Sequence, residues 1–383
     1  MKRLILSGIL VALALAVACA PRAVPGPVPP PAAPAAPTVA APAAPALSPD
    51  EAAWEKVMQA ANQEGKVTIY VGGLLLGNTG SVVIKAMDAR YGLKLEIVGG
   101  TSPVLAERIR MERHAKKYIA DVFLASQALL LPLRDEGMLQ PVGFLPAAQE
   151  KDVWFFPPFY DPPGNILSFG KYWLVSYVNT NLVKPGEEPK SYLDLLKPQW
   201  KGKMITTIPA LNNLPVTYSS LKFNKALDVD DFFRRLAQQD LKMVASHSEQ
   251  ATSLSRGEYY LGILGQEVFF NNFIREGAPL KPIYMEEGIP LRNLVAYGFL
   301  NEATHPNAAR VFLNWMFTAE GQRIISEANN SSPSRKDAPD FSPVSKIITP
   351  QAKIFFPQNE TIDLEAARVM REQVIDRLLG MAK

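Results

Sequence analysis

An α/β chain of two lobes is the fold this sequence predicts, and three observations carry the expectation. Short apolar strands alternate with helix-length amphipathic stretches from residue 66 onward. Two extended segments, near 170 and near 285, break that alternation, as two lobes joined by two crossing strands require. A length of 383 residues also exceeds one ordinary domain. Lobes of this kind leave a central cleft between the carboxyl ends of their strands. Open α/β sheets bind ligands at such edges, and the cleft can close by hinge motion.

The N-terminus stands apart from the fold. Residues 1–19, MKRLILSGILVALALAVAC, set Lys2 and Arg3 before an apolar run and small residues before Cys19. That is the shape of a secretory signal, too short and wrongly flanked for a membrane span. Ala16-Val17-Ala18-Cys19 resembles a bacterial lipobox, with Ala16 where Leu is commoner, so lipidation of Cys19 and anchoring on the outer face of the cell membrane are expected. Cys19 is the only cysteine, which removes disulfides, CxxC metal sites and thiol nucleophiles from the folded part. Residues 20–48 are almost wholly Pro, Ala and Val and read as a disordered, extended stalk. The net charge of +3 resides in Lys2, Arg3 and Arg22, and the rest of the chain is balanced. No basic patch argues for nucleic acid or for anionic lipid.

From residue 48 the elements follow in order. Ser48-Pro49-Asp50-Glu51 opens a helix with a capping box and a first-turn proline, and Gly65 stops it. Residues 66–71 form a strand. The glycine-rich turn after it puts Gly73 and Asn78 at a strand's carboxyl end, where glycine permits close backbone approach. A helix at 81–91 and a strand at 93–98 come next. Gly99-Gly100-Thr101-Ser102-Pro103 then leads into a helix at 104–117. Thr101 and Ser102, with the free N–H groups beside them, suit a carboxylate or phosphate; ordinary capping by Ser102 accounts for the same residues. The strand 120–125 ends at Ser126-Gln127, which opens another helix in the same manner.

The second lobe is expected to begin with a long aromatic-bearing strand at 172–180. Strands at 203–208, 243–245 and 260–264 and helices at 228–239 and 249–256 follow. Asn212, just beyond the first of these strands, either faces the cleft or serves a turn. Residues 265–273 read GQEVFFNNF. In a period-two strand, or at the start of a helix this polar, one ring of Phe269 and Phe270 must leave the core. Taken alone the pair is better explained as core; in the second lobe of a ligand-binding chain one ring is expected to pack inward and the other to wall the cleft, with Gln266 or Asn271 beside it. The return segment at 282–297 carries Glu286, Glu287 and Arg292, and the adjacent glutamates ordinarily mark a solvated turn. A core helix starts at His305-Pro306-Asn307 and a last helix spans 363–379. Lobe one then comprises 49–170 and 290–335, lobe two 171–289, and 336–383 a helical C-terminal segment. Three scattered histidines, His114, His247 and His305, make no zinc site; His247 reads as a lone surface histidine.

Several stretches together resemble the bacterial extracellular solute-binding proteins, in the group that includes the ferric-iron-binding proteins of ABC importers. They include SPVLAERIRMER (102–113), ADVFLASQALLLPLRDEGMLQP (120–141), VSYVNTNLVKP (175–185) and PKSYLDLLKPQWKGKM (189–204). SRGEYYLGILGQ (255–266), EGAPLKPIYMEEGIPLRNLVAYG (276–298) and HPNAARVFLNWMFTAEGQR (305–323) complete the set, in the family's order and spacing. The resemblance implies the type II periplasmic-binding-protein topology, a small solute held in the cleft, the Glu287 and Arg292 segment at the hinge edge where a charge can meet a ligand, and delivery to an ABC permease; the chain is expected to act as a monomer. Ferric-binding members hold iron with two adjacent tyrosines in the segment where this chain has Phe269 and Phe270. A phenolate is a hard donor suited to Fe(III) and a phenyl ring donates nothing, while Tyr259 and Tyr260 lie about ten residues earlier.

The resulting expectation is an organic solute with an anionic group, and no metal or cofactor. Its ligand contacts come from Gly73, Asn78, Thr101, Ser102, Ser126, Gln127, Asn212, Gln266, Phe269, Phe270 and Glu287. Ferric iron or an iron chelate is the alternative within the family. A ligand-sensing accessory protein or a secreted enzyme is the alternative outside it. The chain lacks GxSxG, HExxH, a P-loop and a GxGxxG after a strand, so no catalytic residue is assigned.

Overall fold

The computed structural model describes residues 48–161, 164–208 and 213–355. The signal, the stalk, Cys19, Asn212 and the expected last helix at 363–379 fall outside that set. The first elements are α1 (Pro49–Glu64), β1 (Lys66–Val71), α2 (Gly77–Tyr91), β2 (Lys94–Gly99), α3 (Ser102–His114), β3 (Val122–Ala125), α4 (Gln127–Asp135) and a short α5 (Pro146–Gln149). The α1 capping box forms: Glu51 N donates to Ser48 Oγ at 3.3 Å, and Ser48 N donates to the Glu51 carboxylate at 2.8 Å. β1 lies between β2 and β3 and is parallel to both. Val67, Ile69 and Val71 of β1 pack one core and Tyr70 another, so both faces of this strand are covered. That is why its sequence is a run of apolar residues rather than an alternation.

Then come β4 (Ile166–Asn179), β5 (Met204–Thr207), α6 (Asn213–Phe223), α7 (Val229–Ala237), β6 (Lys242–Val244), α8 (His247–Ser255), β7 (Leu261–Gln266), α9 (Glu267–Arg275), β8 (Leu280–Ile283), β9 (Ile289–Phe299), α10 (Pro306–Phe317), α11 (Ala319–Asn329) and β10 (Ile354–Phe355). The strand order is β2-β1-β3-β9-β4-β7-β5-β6, with β8 beside β4 and β10 beside β9. β4 belongs to both halves of this sheet. Residues up to Trp173 pair antiparallel with β9, from Ile166↔Gly298 to Trp173↔Leu291. From Leu174 the same strand pairs with β7, and from Ser176 with β8. β4 and β9 are therefore the two expected crossings, each longer or placed a few residues away from the sequence expectation.

The second half has its own core, in which Tyr177, Phe232, Phe233, Ile263 and Phe270 are buried. Each buried phenylalanine contributes roughly 1.5–3 kcal/mol. The chain returns to the first core through α10 and α11, where Phe312, Trp315 and Ile325 are buried. Glu64 of α1 completes the α10 N-terminus by accepting Ala308 N at 2.7 Å and Asn307 Nδ2 at 2.7 Å.

A third passage joins the halves. After α11 ends at Asn330 (φ 47°), Ser332 bridges to Lys171 of β4. Asp340 then meets Lys171 at 3.0 Å, and Val344 and Phe355 enter the second core. Of the C-terminal segment expected to be helical over 336–383, only residues 336–355 are described, and its expected helix at 363–379 lies outside them. Among the described residues the segment holds only a 3-10 turn, Val344–Ile347, and β10. Pro339, Pro343 and Pro350 explain this, since each removes a helical N–H and pushes the preceding residue toward extended backbone.

Candidate functional site

In the first half, β1, β2 and β3 end at Val71, Gly99 and Ala125, and α2, α3 and α4 start just beyond. The N-cap residues of these helices, Leu76, Thr101 and Ser126, make no side-chain cap bond. Elsewhere, Ser48, Asp228, Ser246 and Thr318 cap α1, α7, α8 and α11 with their side chains, and α5, α9 and α10 also lack a side-chain cap. Helix starts have N–H groups without intrahelical partners and a positive dipole end. Three of them lie at adjacent strand ends, where their positive dipole ends are side by side. Gly72 brings the loop against this edge: a Cβ there would sit 1.7 Å from Ser102 Oγ. Gly73, Asn78, Thr101 and Ser126 are exposed along this edge and Ser102 is half-buried. α2 begins at Gly77, four residues before the expected start, so Asn78 stands in its first turn. Gln127 Nε2 donates to Ser168 Oγ of β4 at 3.2 Å, and Asn293 Nδ2 of β9 reaches the same oxygen at 3.4 Å. Gln127 thus ties the edge to both crossing strands.

In the second half, β5, β6 and β7 end at Thr207, Val244 and Gln266. Gln266 Nε2 donates to Asn213 Oδ1 at 3.0 Å, and Asn213 Nδ2 lies 3.5 Å from His247 Nδ1. The His247 ring stacks on Phe269, centroids 4.8 Å apart. Burial depresses the imidazole pKa to about 4, because a desolvated cation is disfavoured. The ring is therefore neutral at ordinary pH. With Asn213 donating to Nδ1, its proton lies on Nε2 as a hydrogen-bond donor. The hydroxyls of Thr207 and Thr217 are buried here and have no partner among the described residues. His247 is the residue that the sequence misread as a lone surface histidine. Its signal was its position, two residues past Ala245 at a strand's carboxyl end and next to the α8 cap Ser246.

Three expected contacts are corrected. Phe270 is fully buried and stacks on Tyr177 at 4.0 Å and 6°. Gly265 makes room for it, since a Cβ there would lie 2.5 Å from the Phe270 ring. Phe270 is thus core, while Phe269 is half-buried at the edge of the same core. Asn271 is also buried, and its amide donates to the Asn330 carbonyl, so Gln266 alone remains beside Phe269. Glu287 is engaged within its own half: its carboxylate accepts Tyr192 N at 3.1 Å and the Ser191 hydroxyl, at the start of the 3-10 turn Tyr192–Leu196. Tyr259 and Tyr260 precede β7, at the end of that strand opposite Gln266, with Lys203 over the Tyr260 ring at 4.5 Å. Among the described residues no group of three or more His, Cys, Asp or Glu is arranged to hold a metal ion.

The sequence profile described as bacterial extracellular solute-binding protein matches residues 117–363, more than half of the chain. The Fe(3+)-binding periplasmic protein of Serratia marcescens is 24% identical over 250 residues, 62% of this chain and 70% of that one. Trichodesmium IdiA (FutA), solved in complex with iron and citrate ligands, shares the fold at a TM-score of 0.63 and 20% identity, over 82% of this chain and 99% of its own. AfuA from Actinobacillus pleuropneumoniae, solved with fructose-6-phosphate bound, does so at 0.57 and 20% identity, over 82% and 97% of the two chains.

Proposed function

The chain belongs to the bacterial extracellular solute-binding proteins, the components that bind a small solute and deliver it to the permease of an ABC importer, and we propose that its own solute is an organic anion. Its fold is that of the two-lobed type II periplasmic binding proteins. The observation that carries the proposal is that three successive helices start, without side-chain caps, just beyond the ends of the adjacent strands β1, β2 and β3. Open N–H groups and positive dipole ends suit a phosphate or carboxylate head. On the facing edge, neutral His247 offers a donor and its stack with Phe269 a flat apolar surface, which suits an uncharged, acceptor-bearing body. The AfuA structure with fructose-6-phosphate bound supports an organic phosphate as cargo on this fold.

A second solute is an iron chelate, favoured by the iron-binding relative and by the structure holding iron and citrate. Phe269 and Phe270 offer iron no ligand atom, so such cargo would be recognised through the chelator's own carboxylates. We also infer that a lipid on Cys19 holds the chain at the membrane, with residues 20–48 as spacer. Intact-mass measurement of membrane-extracted protein, and release by Cys19→Ala, test that anchor.

Native mass spectrometry of protein purified without refolding, with a thermal-shift panel, tests the solute. The panel contains phenyl phosphate, fructose 6-phosphate, citrate, ferric citrate and inorganic phosphate. A genuine ligand at a hundredfold excess over Kd should stabilise by about 2.7 kcal/mol. Saturation by Fe(III) alone, with a visible tyrosinate-to-iron absorption band, would sink the organic-anion proposal.

A further inference from the structure

The carboxyl group of Glu267 takes no part in the contacts proposed above, yet it occupies the junction of the whole fold. It is the first residue of α9, directly after Gln266 and two positions before Phe269. Its Oε1 accepts the backbone N–H of Trp173 at 3.2 Å, and its Oε2 meets the Ser342 hydroxyl. Trp173 is the last β4 residue paired with β9, and the next, Leu174, pairs with Gln266. One side chain therefore joins α9, the crossing strand where it changes halves, and the third passage.

The neighbouring charges argue that this group keeps its proton. Asp340 accepts Lys171 Nζ, Ser332 Oγ and Ser342 N, each at 3.0 Å. Lys171 is the cation acting on Glu267, Asp340 the other carboxylate, and the Tyr177 phenol is the remaining titratable neighbour. Lys171 is already neutralised by Asp340. An ionised Glu267, fully buried, would leave two carboxylates against one ammonium. Burial, and less strongly the Asp340 charge, raise its pKa to about 8 against the opposing pull of Ser342, Lys171 and the Trp173 N–H.

We propose that Glu267 is a positioning residue whose neutral carboxyl group pins the start of α9 to the crossing strand and to the third passage, and that loss of its proton loosens the wall carrying Gln266 and Phe269. The consequence for solute rests on reading that wall as part of the binding cleft; the pin itself does not.

The test uses the full chain without solute, comparing wild type with Glu267→Gln, whose amide supplies the same neutral bonds. The folded state holds a proton that the unfolded chain releases near pH 4.5. The stability of wild type relative to E267Q should therefore fall as pH rises from about 4.5 to about 8 and then level off. Parallel profiles would overturn the pin. Should E267Q fail to fold, ¹³C NMR of wild-type glutamate carboxyls replaces it. One resonance titrating near pH 8, with the Gln266–Phe269 amide shifts following the same midpoint, supports the proposal. A Glu267 that titrates below pH 6, or that titrates without moving those amides, refutes it. In a separate arm, wild-type affinity for phenyl phosphate should fall about tenfold between pH 7 and 9, and less in E267Q. Binding that ignores pH while the amides move would refute the link to solute, and no binding at any pH would instead remove this probe class from the proposed cargo.

Discussion

The rings of His247 and Phe269 stack with planes 24° from parallel, although the two residues open different helices after different strands. Stacking half-buries the imidazole and lowers its pKa from 6.5 to about 4. Between those values the unfolded chain binds the proton that the folded state refuses, so the contribution of His247 to stability is lost as pH drops from about 6.5 to about 4. The slope approaches 1.4 kcal/mol per unit and the total about 3 kcal/mol at most. Urea unfolding at several pH values should show His247→Gln to be less acid-sensitive than wild type. Equal acid slopes would contradict the buried, neutral imidazole.

Lys171 and Asp340 lie 169 positions apart and 3.0 Å from each other, with the lysine side chain 4% exposed. Lys171→Met should cost about 3 kcal/mol by leaving a partly buried carboxylate without its cation. The double variant with Asp340→Asn should recover at least about 1 kcal/mol of that in denaturant unfolding. Strictly additive losses would show the pair to be uncoupled.

Gly265→Ala would place a methyl group 2.5 Å from the Phe270 ring. Overpacking of this kind costs about 1–3 kcal/mol. The near-ultraviolet circular dichroism of the Tyr177–Phe270 stack should change with it. Wild-type stability and spectrum would mean that the ring can move aside freely.

Gly72→Ala forces Ser102 away, because the new Cβ would fall 1.7 Å from its hydroxyl. Calorimetry should show phenyl phosphate binding weakened about tenfold, equal to 1.4 kcal/mol. Unchanged affinity would place the anion away from the start of α3.

Much of the architecture was legible because it is written in local patterns. The apolar run of β1, the Ser48–Glu51 box and the stop at Gly65 each depend on neighbours within a few residues. The crossing strands were visible as extended segments that broke the alternation. The site was less legible, for a physical reason. His247 matters through Asn213 and Phe269, Glu267 through Trp173 and Ser342, and Glu287 through Tyr192. Partnerships across tens of residues leave no periodic trace. In GQEVFFNNF the polar neighbours hid a helix start, and only packing around Gly265 decides that Phe270, not Phe269, is the core ring.

Three separate passages between the halves, rather than two, change what opening can look like. Two adjacent antiparallel strands behave as a ribbon that both bends and twists. The segment tied at Ser332 and Asp340 to Lys171 resists the twist and leaves bending as the softer coordinate. A receptor confined to one coordinate has fewer open arrangements to give up when it closes on cargo. Less of the cargo's interaction energy is then consumed in ordering the protein, and more remains as affinity.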